Sequence, residues 1–135
     1  MWSLGPWVAA LWWASLCAVG FWVVPLLFMR MPTPYMAGQM AAVLFTAQTW
    51  VAVVCSLFLL ALERRDARSS RTLSQTFIGL GMLLALLSEF AVAPHIVARE
   101  NLPFWHALGT LFYALQCLSA GVVLWGFLRR DGAAR

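Results

Sequence analysis

A bundle of four membrane-spanning α-helices is the fold this sequence predicts, and three observations carry the expectation. Of its 135 residues 63% are apolar and only 10% charged, with a mean hydropathy of +0.83, whereas a soluble domain is roughly half apolar and a quarter charged. Four apolar runs, at about 7–29, 38–62, 73–98 and 104–128, each match or exceed the about 20 residues a helix needs to cross hydrocarbon. All nine basic residues are arginine, and they gather at the ends of those runs. The four helices use nearly the whole chain, so residues 1–135 are read as one all-α integral membrane domain with the lipid bilayer as its solvent.

The first run begins MWSLGPWVAALWWASLC, without the basic start of a secretory signal, and stays apolar to Met29 with no small-residue cleavage pattern. It is therefore expected to be a retained helix. The second run carries a stripe of Gly38, Ala41, Ala42, Phe45, Thr49, Ala52 and Ser56 at helical spacing, and the fourth a stripe of His106, Gly109, Thr110, Tyr113, Cys117, Ala120 and Gly121. Lipid gives helices no hydrophobic drive to associate, so faces of small residues are the ones expected to meet. On that ground Gly20, Gly38, Ala42, Gly81, Gly109 and Gly121 are expected at helix contacts. Pro25 and Pro94 are expected beside them, loosening the far turns of the first and third helices by removing a backbone donor. Trp12, Trp13 and Trp50, bulky and inside apolar runs, point to contacts between copies in a homo-oligomer. Trp2, Trp7 and Trp125 at one end and Trp105 at the other fit interfacial belts.

Arginine placement sets the orientation. Arg64, Arg65, Arg68 and Arg71 lie between the second and third runs and Arg129, Arg130 and Arg135 follow the fourth, against Arg30 and Arg99 in the other two connections. The positive-inside rule then puts both termini in the cytoplasm, in a bacterial-type inner membrane. The pI near 9.6 follows from the same arginines and fits attraction to anionic lipid, with no nucleic-acid partner expected.

The chain also resembles itself. FWVVPLLFMRMPTP, residues 21–34, aligns without gaps on FAVAPHIVARENLP, residues 90–103, pairing Phe21 with Phe90, Pro25 with Pro94, Arg30 with Arg99 and Pro34 with Pro103. The expectation is a duplicated two-helix unit, whose halves keep one orientation about an axis along the membrane normal.

Within the third run Glu89 is out of place, since a charge at that depth costs about 2.5 to 3.5 kcal/mol on insertion scales. It must be protonated, paired or wet. With the third and fourth helices antiparallel, residues whose numbers sum to about 202 lie at one depth, which sets Glu89 level with Tyr113. A polar cluster of Glu89, Tyr113, Thr110, Gln48 and Gln116 is expected, with room for the carboxyl left by Gly20, its partner in the repeat. The same rule sets His95 opposite His106, a weak candidate ligand pair for haem or copper. Cys17, Cys55 and Cys117 are odd in number and lack C-x-x-C spacing, so neither a disulfide framework nor a thiolate metal site is expected.

GFWVVPLLFMRM at 20–31, AGQMAAVLF at 37–45 and APHIVARENLPFWHALGTLF at 93–112 give the chain a further likeness. It resembles the small four-helix membrane family grouped as domain of unknown function 4149, similar to transmembrane protein 205. Pro25, Phe28, Gly38, Pro94, Phe104 and His106 stand where that family's pattern has them. Its Ser and Asn positions, three and seven residues after the histidine, hold Gly109 and Tyr113 here. The resemblance implies a membrane protein and no assigned reaction. No Walker loop, dinucleotide glycine pattern, H-E-x-x-H or G-x-S-x-G is present, and no catalytic residue is assigned. The expected function is non-enzymatic, that of an oligomeric transport or accessory subunit. The alternative is a redox module holding haem or copper on His95 and His106.

Overall fold

The structure is a computed structural model that describes residues 4–65 and 71–133. Trp2, Arg68 and Arg135 lie outside the described residues. Four helices are long and apolar enough to cross a membrane: Leu4–Arg30, Pro34–Arg64, Leu73–Val97 and Leu102–Arg130. The protein is an all-α membrane bundle, and among the described residues it has no strand.

At the hairpin end the helix boundaries have local reasons. Pro34 opens the second helix, where a missing N–H costs nothing, and Thr33 Oγ1 accepts the Met36 N–H at 3.3 Å as an N-cap does. The third helix closes in a Schellman arrangement, with Glu100 N–H on His95 O at 3.0 Å and Arg99 N–H on Ile96 O at 3.1 Å. Arg99 takes the left-handed position, at φ 59°, that glycine usually fills. Asn101, at φ 39°, turns the chain into the fourth helix and its carbonyl accepts from Phe104 and Trp105.

The helices form a square. The first packs on the second and fourth, the third on the second and fourth, and the third–fourth contact is the most extensive. The chain termini mark one end of the square; the turns at 31–33 and 98–101 mark the other, the hairpin end. Trp12, Leu16, Leu59, Ile78 and Val123 fill the core of the terminal half. Beyond Leu16 the first helix has no buried residue, so the hairpin half is held more loosely.

Pro25 and Pro94 do not end their helices. Each is preceded by a five-residue π turn, Val19–Val23 and Ser88–Val92, after which the α-helix resumes. A proline ring collides with the carbonyl four residues back, here Phe21 or Phe90, and widening the turn moves that carbonyl away. The wider bonds are Val24 N–H on Val19 O and Ala93 N–H on Ser88 O. The two π turns occupy matched places in the alignment of residues 21–34 with 90–103.

The glycine stripes pack differently from expectation. Gly5, Gly20, Gly81 and Gly121 serve as sockets for rings: a Cβ on each would strike Phe127, Tyr113, Trp12 and Trp13 respectively. Only Gly109 receives aliphatic groups, with Val92 at 3.3 Å and Ile96 at 3.7 Å from a Cβ placed there. A Cβ on Gly38 would meet nothing within 4 Å, so no neighbour packs closely on that face, while Pro25 and Pro94 are exposed and Ala42 is half-buried. Trp12 belongs to the core rather than to an outer contact face, while Trp13 and Trp50 are exposed.

Candidate polar row through the bundle

A helical period brings buried polar side chains into one row along the bundle. On the second helix Thr49, Ser56 and Glu63 recur at intervals of seven residues, two helical turns, and so share a face. Gln116 and Arg130 on the fourth helix are four turns apart on one face, with Ser119 beside them. Gln48, Thr49, Ser56, Glu63, Ser74, Gln116 and Ser119 are all buried.

At the terminal end the row finishes in a charge cluster. Glu63, only 2% exposed, accepts from Arg130 Nη1, while Arg130 Nη2 donates to Ser74 Oγ at 3.0 Å. The guanidinium lies 5.4 Å from the centre of the Phe127 ring, which occupies the Gly5 socket. Arg130 thus ties together side chains or sockets of all four helices. Nothing singled out this cluster in the sequence, because Glu63 and Arg130 read as ordinary helix-end charges. The available signal was the interval of seven from Thr49 through Ser56 to Glu63.

Midway, Gln48 Nε2 donates to Ser15 Oγ at 3.0 Å and Ser15 Oγ donates to Trp12 O at 2.9 Å. Ser119 Oγ donates back to Leu115 O at 2.8 Å. Four buried polar atoms, Trp12 Nε1, Ser56 Oγ, Ser88 Oγ and Gln116 Nε2, have no hydrogen-bond partner among the described residues. Leaving such a group dry costs about 1–3 kcal/mol, which is why groups of this kind usually hold water.

Toward the hairpin end, Glu89 Oε1 accepts from Thr46 Oγ1 of the second helix at 2.8 Å. Tyr113 does not meet it. Its hydroxyl donates to Leu16 O of the first helix at 2.7 Å, and its ring sits in the Gly20 socket with Phe45 edge-on at 5.3 Å. The depth rule is sound for neighbouring antiparallel helices, but depth does not fix azimuth, and Tyr113 faces the first helix rather than the third. The space at Gly20 is taken by the phenol, not by the carboxyl. Thr110 Oγ1 turns back onto His106 O of its own helix at 2.8 Å, so the expected five-residue cluster is dispersed: Glu89 with Thr46, Tyr113 with Leu16, Gln48 with Ser15, Gln116 unpartnered, Thr110 outside.

Both histidines lie at the hairpin end of the bundle. His95 Nδ1 meets Glu100 Oε2 at 2.7 Å and its ring stacks on Trp105 at 4.0 Å, whereas His106 is exposed. Among the described residues no three His, Cys, Asp or Glu side chains converge as metal ligands would.

One comparison with known proteins is positive. A family model described as a domain of unknown function, DUF4149, matches residues 7–102, from the first helix through the turn before the fourth. No curated protein and no solved structure matches the chain. Phe104, His106, Tyr113, Gln116 and Arg130 lie beyond the matched residues. The chain belongs to the DUF4149 family.

Proposed function

We propose that this DUF4149 member is a non-enzymatic inner-membrane protein that passes protons along its polar row as part of a transport or accessory assembly, with both termini in the cytoplasm. The observation that carries the reading is the pair of acids at the two ends of the row. Glu89 is bonded to Thr46, and Thr46 and Glu63 are separated by about 26 Å of helix at about 1.5 Å per residue. That is close to the about 30 Å thickness of bilayer hydrocarbon. Between them stand hydroxyl and amide groups, several lacking a protein partner and suited to holding water. Carboxyls, hydroxyls and water exchange protons readily, whereas Trp12, seated against Gly81 across the bundle, fills the axis against larger solutes. Intramembrane acids that face polar side chains mark ion pathways and proton relays. The bundle is too slender to enclose a wide pore, and exposed Trp13 and Trp50 offer faces for a second copy or an accessory partner.

Proton flux into liposomes tests this reading. With a pH dye inside and a potassium potential across the membrane, the parent should acidify the lumen faster than protein-free vesicles, and Glu89→Gln should abolish the excess. Equal rates for the parent and protein-free vesicles would overturn it.

A further inference from the structure

The row and its acids leave aside two thiols on the opposite interface, between the first and fourth helices. These helices run antiparallel, and two contacts fix their register: Gly121 receives Trp13, and Gly20 receives the ring of Tyr113. Cys17 lies one turn from both Trp13 and Gly20, and Cys117 lies one turn from both Gly121 and Tyr113, so each cysteine occupies the middle of the same bracketed contact. Tyr113 Oη on Leu16 O, at 2.7 Å, pins the helices one residue from Cys17. The same register sets the two cysteines at one depth on this contact. Sequence spacing gave no sign of the pair, because Cys17 and Cys117 lie on the first and last of the four helices.

We propose that Cys17 and Cys117 form a disulfide within the bilayer, closed by a neutral lipid-soluble quinone and reopened by a dithiol. Both S–H bonds break and one S–S bond forms. The two electrons and two protons pass to the quinone, which leaves as its hydroquinone. Every reactant and product is uncharged, so the net exchange brings no charge into hydrocarbon, where an isolated ion is costly. Access comes from the lipid side: Cys17 is half-buried, and the first helix has no buried residue beyond Leu16. Cys55, buried in the core beside Ala52 and Leu59, has no such exposure and serves as the internal control.

The test uses the whole protein in lipid nanodiscs, a short-chain ubiquinone analogue, and maleimide labelling after transfer to SDS, with labels counted by intact mass. The chain has three cysteines. The untreated parent should take three labels. After quinone it should take only one, at Cys55, and a peptide carrying Cys17 joined to Cys117 should appear. Dithiothreitol should restore full labelling. Cys17→Ser and Cys117→Ser should each keep both remaining labels through the same treatment. Full labelling of the parent after quinone, loss of labels in either serine variant, or a link between two chains on a non-reducing gel would each overturn the proposal.

Discussion

Breaking the terminal charge cluster from its two sides should give unequal results. In Arg130→Gln the Glu63 carboxylate, 2% exposed, loses its counter-ion and has no route to water. Removing one partner of a fully buried pair costs about 3 to 5 kcal/mol, and an exposed pair contributes about 0 to 1. The Arg130 side chain is 35% exposed, so solvent already screens part of the attraction and the expected loss falls to about 2 to 3 kcal/mol. That is roughly a 30- to 150-fold shift in the unfolding equilibrium. In Glu63→Gln the guanidinium keeps Ser74 and gains hydration on its open side, so the expected loss is about 1 kcal/mol. Replacing both residues with methionine should restore stability to within about 1 kcal/mol of the parent, because no buried charge is left alone. Unfolding of each variant by SDS in mixed micelles, followed by tryptophan fluorescence, supplies the three numbers. Equal losses in the two single variants, or a double variant weaker than Arg130→Gln, would refute the reasoning.

Three further outcomes follow from packing. Gly20→Ala should lose about 1 to 3 kcal/mol, because its methyl meets a Tyr113 ring held by Leu16 O, while Gly38→Ala, with open space around it, should hold or gain up to about 1 kcal/mol; the same SDS titration compares them, and equal effects would contradict the socket. Glu89→Leu should cost under about 1 kcal/mol, since Thr46 Oγ1 can turn to a carbonyl of its own helix as Thr110 does; a measured loss above about 3 kcal/mol would show that Glu89 has a stronger partner. Pro94→Ala should let residues 88–92 tighten to α spacing and rotate the face of residues 93–97 by about 100°. Maleimide labelling of single cysteines along 93–97, in a background free of native cysteines, would read the new phase, and an unchanged pattern would count against the proline as cause.

The helices were legible because each is an apolar run about as long as the bilayer is thick, and the turns because Pro34, Pro103 and Asn101 punctuate them. Glu89 could be recognised as anomalous from sequence, and its depth estimated, yet its partner Thr46 sits on the helix before it, and nothing in a linear pattern chooses between two neighbours at equal depth. Tyr113 was drawn to the wrong neighbour for the same reason. Glu63 was overlooked because an acid next to Arg64 and Arg65 looks solvated, when the helix phase in fact turns it inward and the arginine that neutralises it is Arg130. Small residues were recognised as contact points, but a glycine can admit a backbone or a ring, and the sequence does not say which. Gly20, Gly81 and Gly121 admit rings, as does Gly5, which the sequence did not single out.

The two π turns bear on why one acid stands where it does. A proline at the same place in the first and third helices imposes the same wide turn on each, and a wide turn advances every later side chain around the axis by about one residue's rotation relative to an unbroken helix. The two halves therefore share a backbone device but not its contents. In the first helix the turn holds Gly20, and its vacancy is filled by Tyr113 from the fourth helix, which closes that side with a ring and one hydrogen bond to Leu16. In the third helix the matched position is Glu89; it is half-buried, bonded to Thr46, with Ser88 Oγ beside it lacking a partner. A two-helix unit used twice with identical side chains would put either two rings or two acids at this depth. Two acids would repel and two rings would leave no carboxyl at this depth. The asymmetry between Gly20 and Glu89 gives the bundle one side closed by a ring and one side that holds a half-buried carboxyl on a threonine hydroxyl.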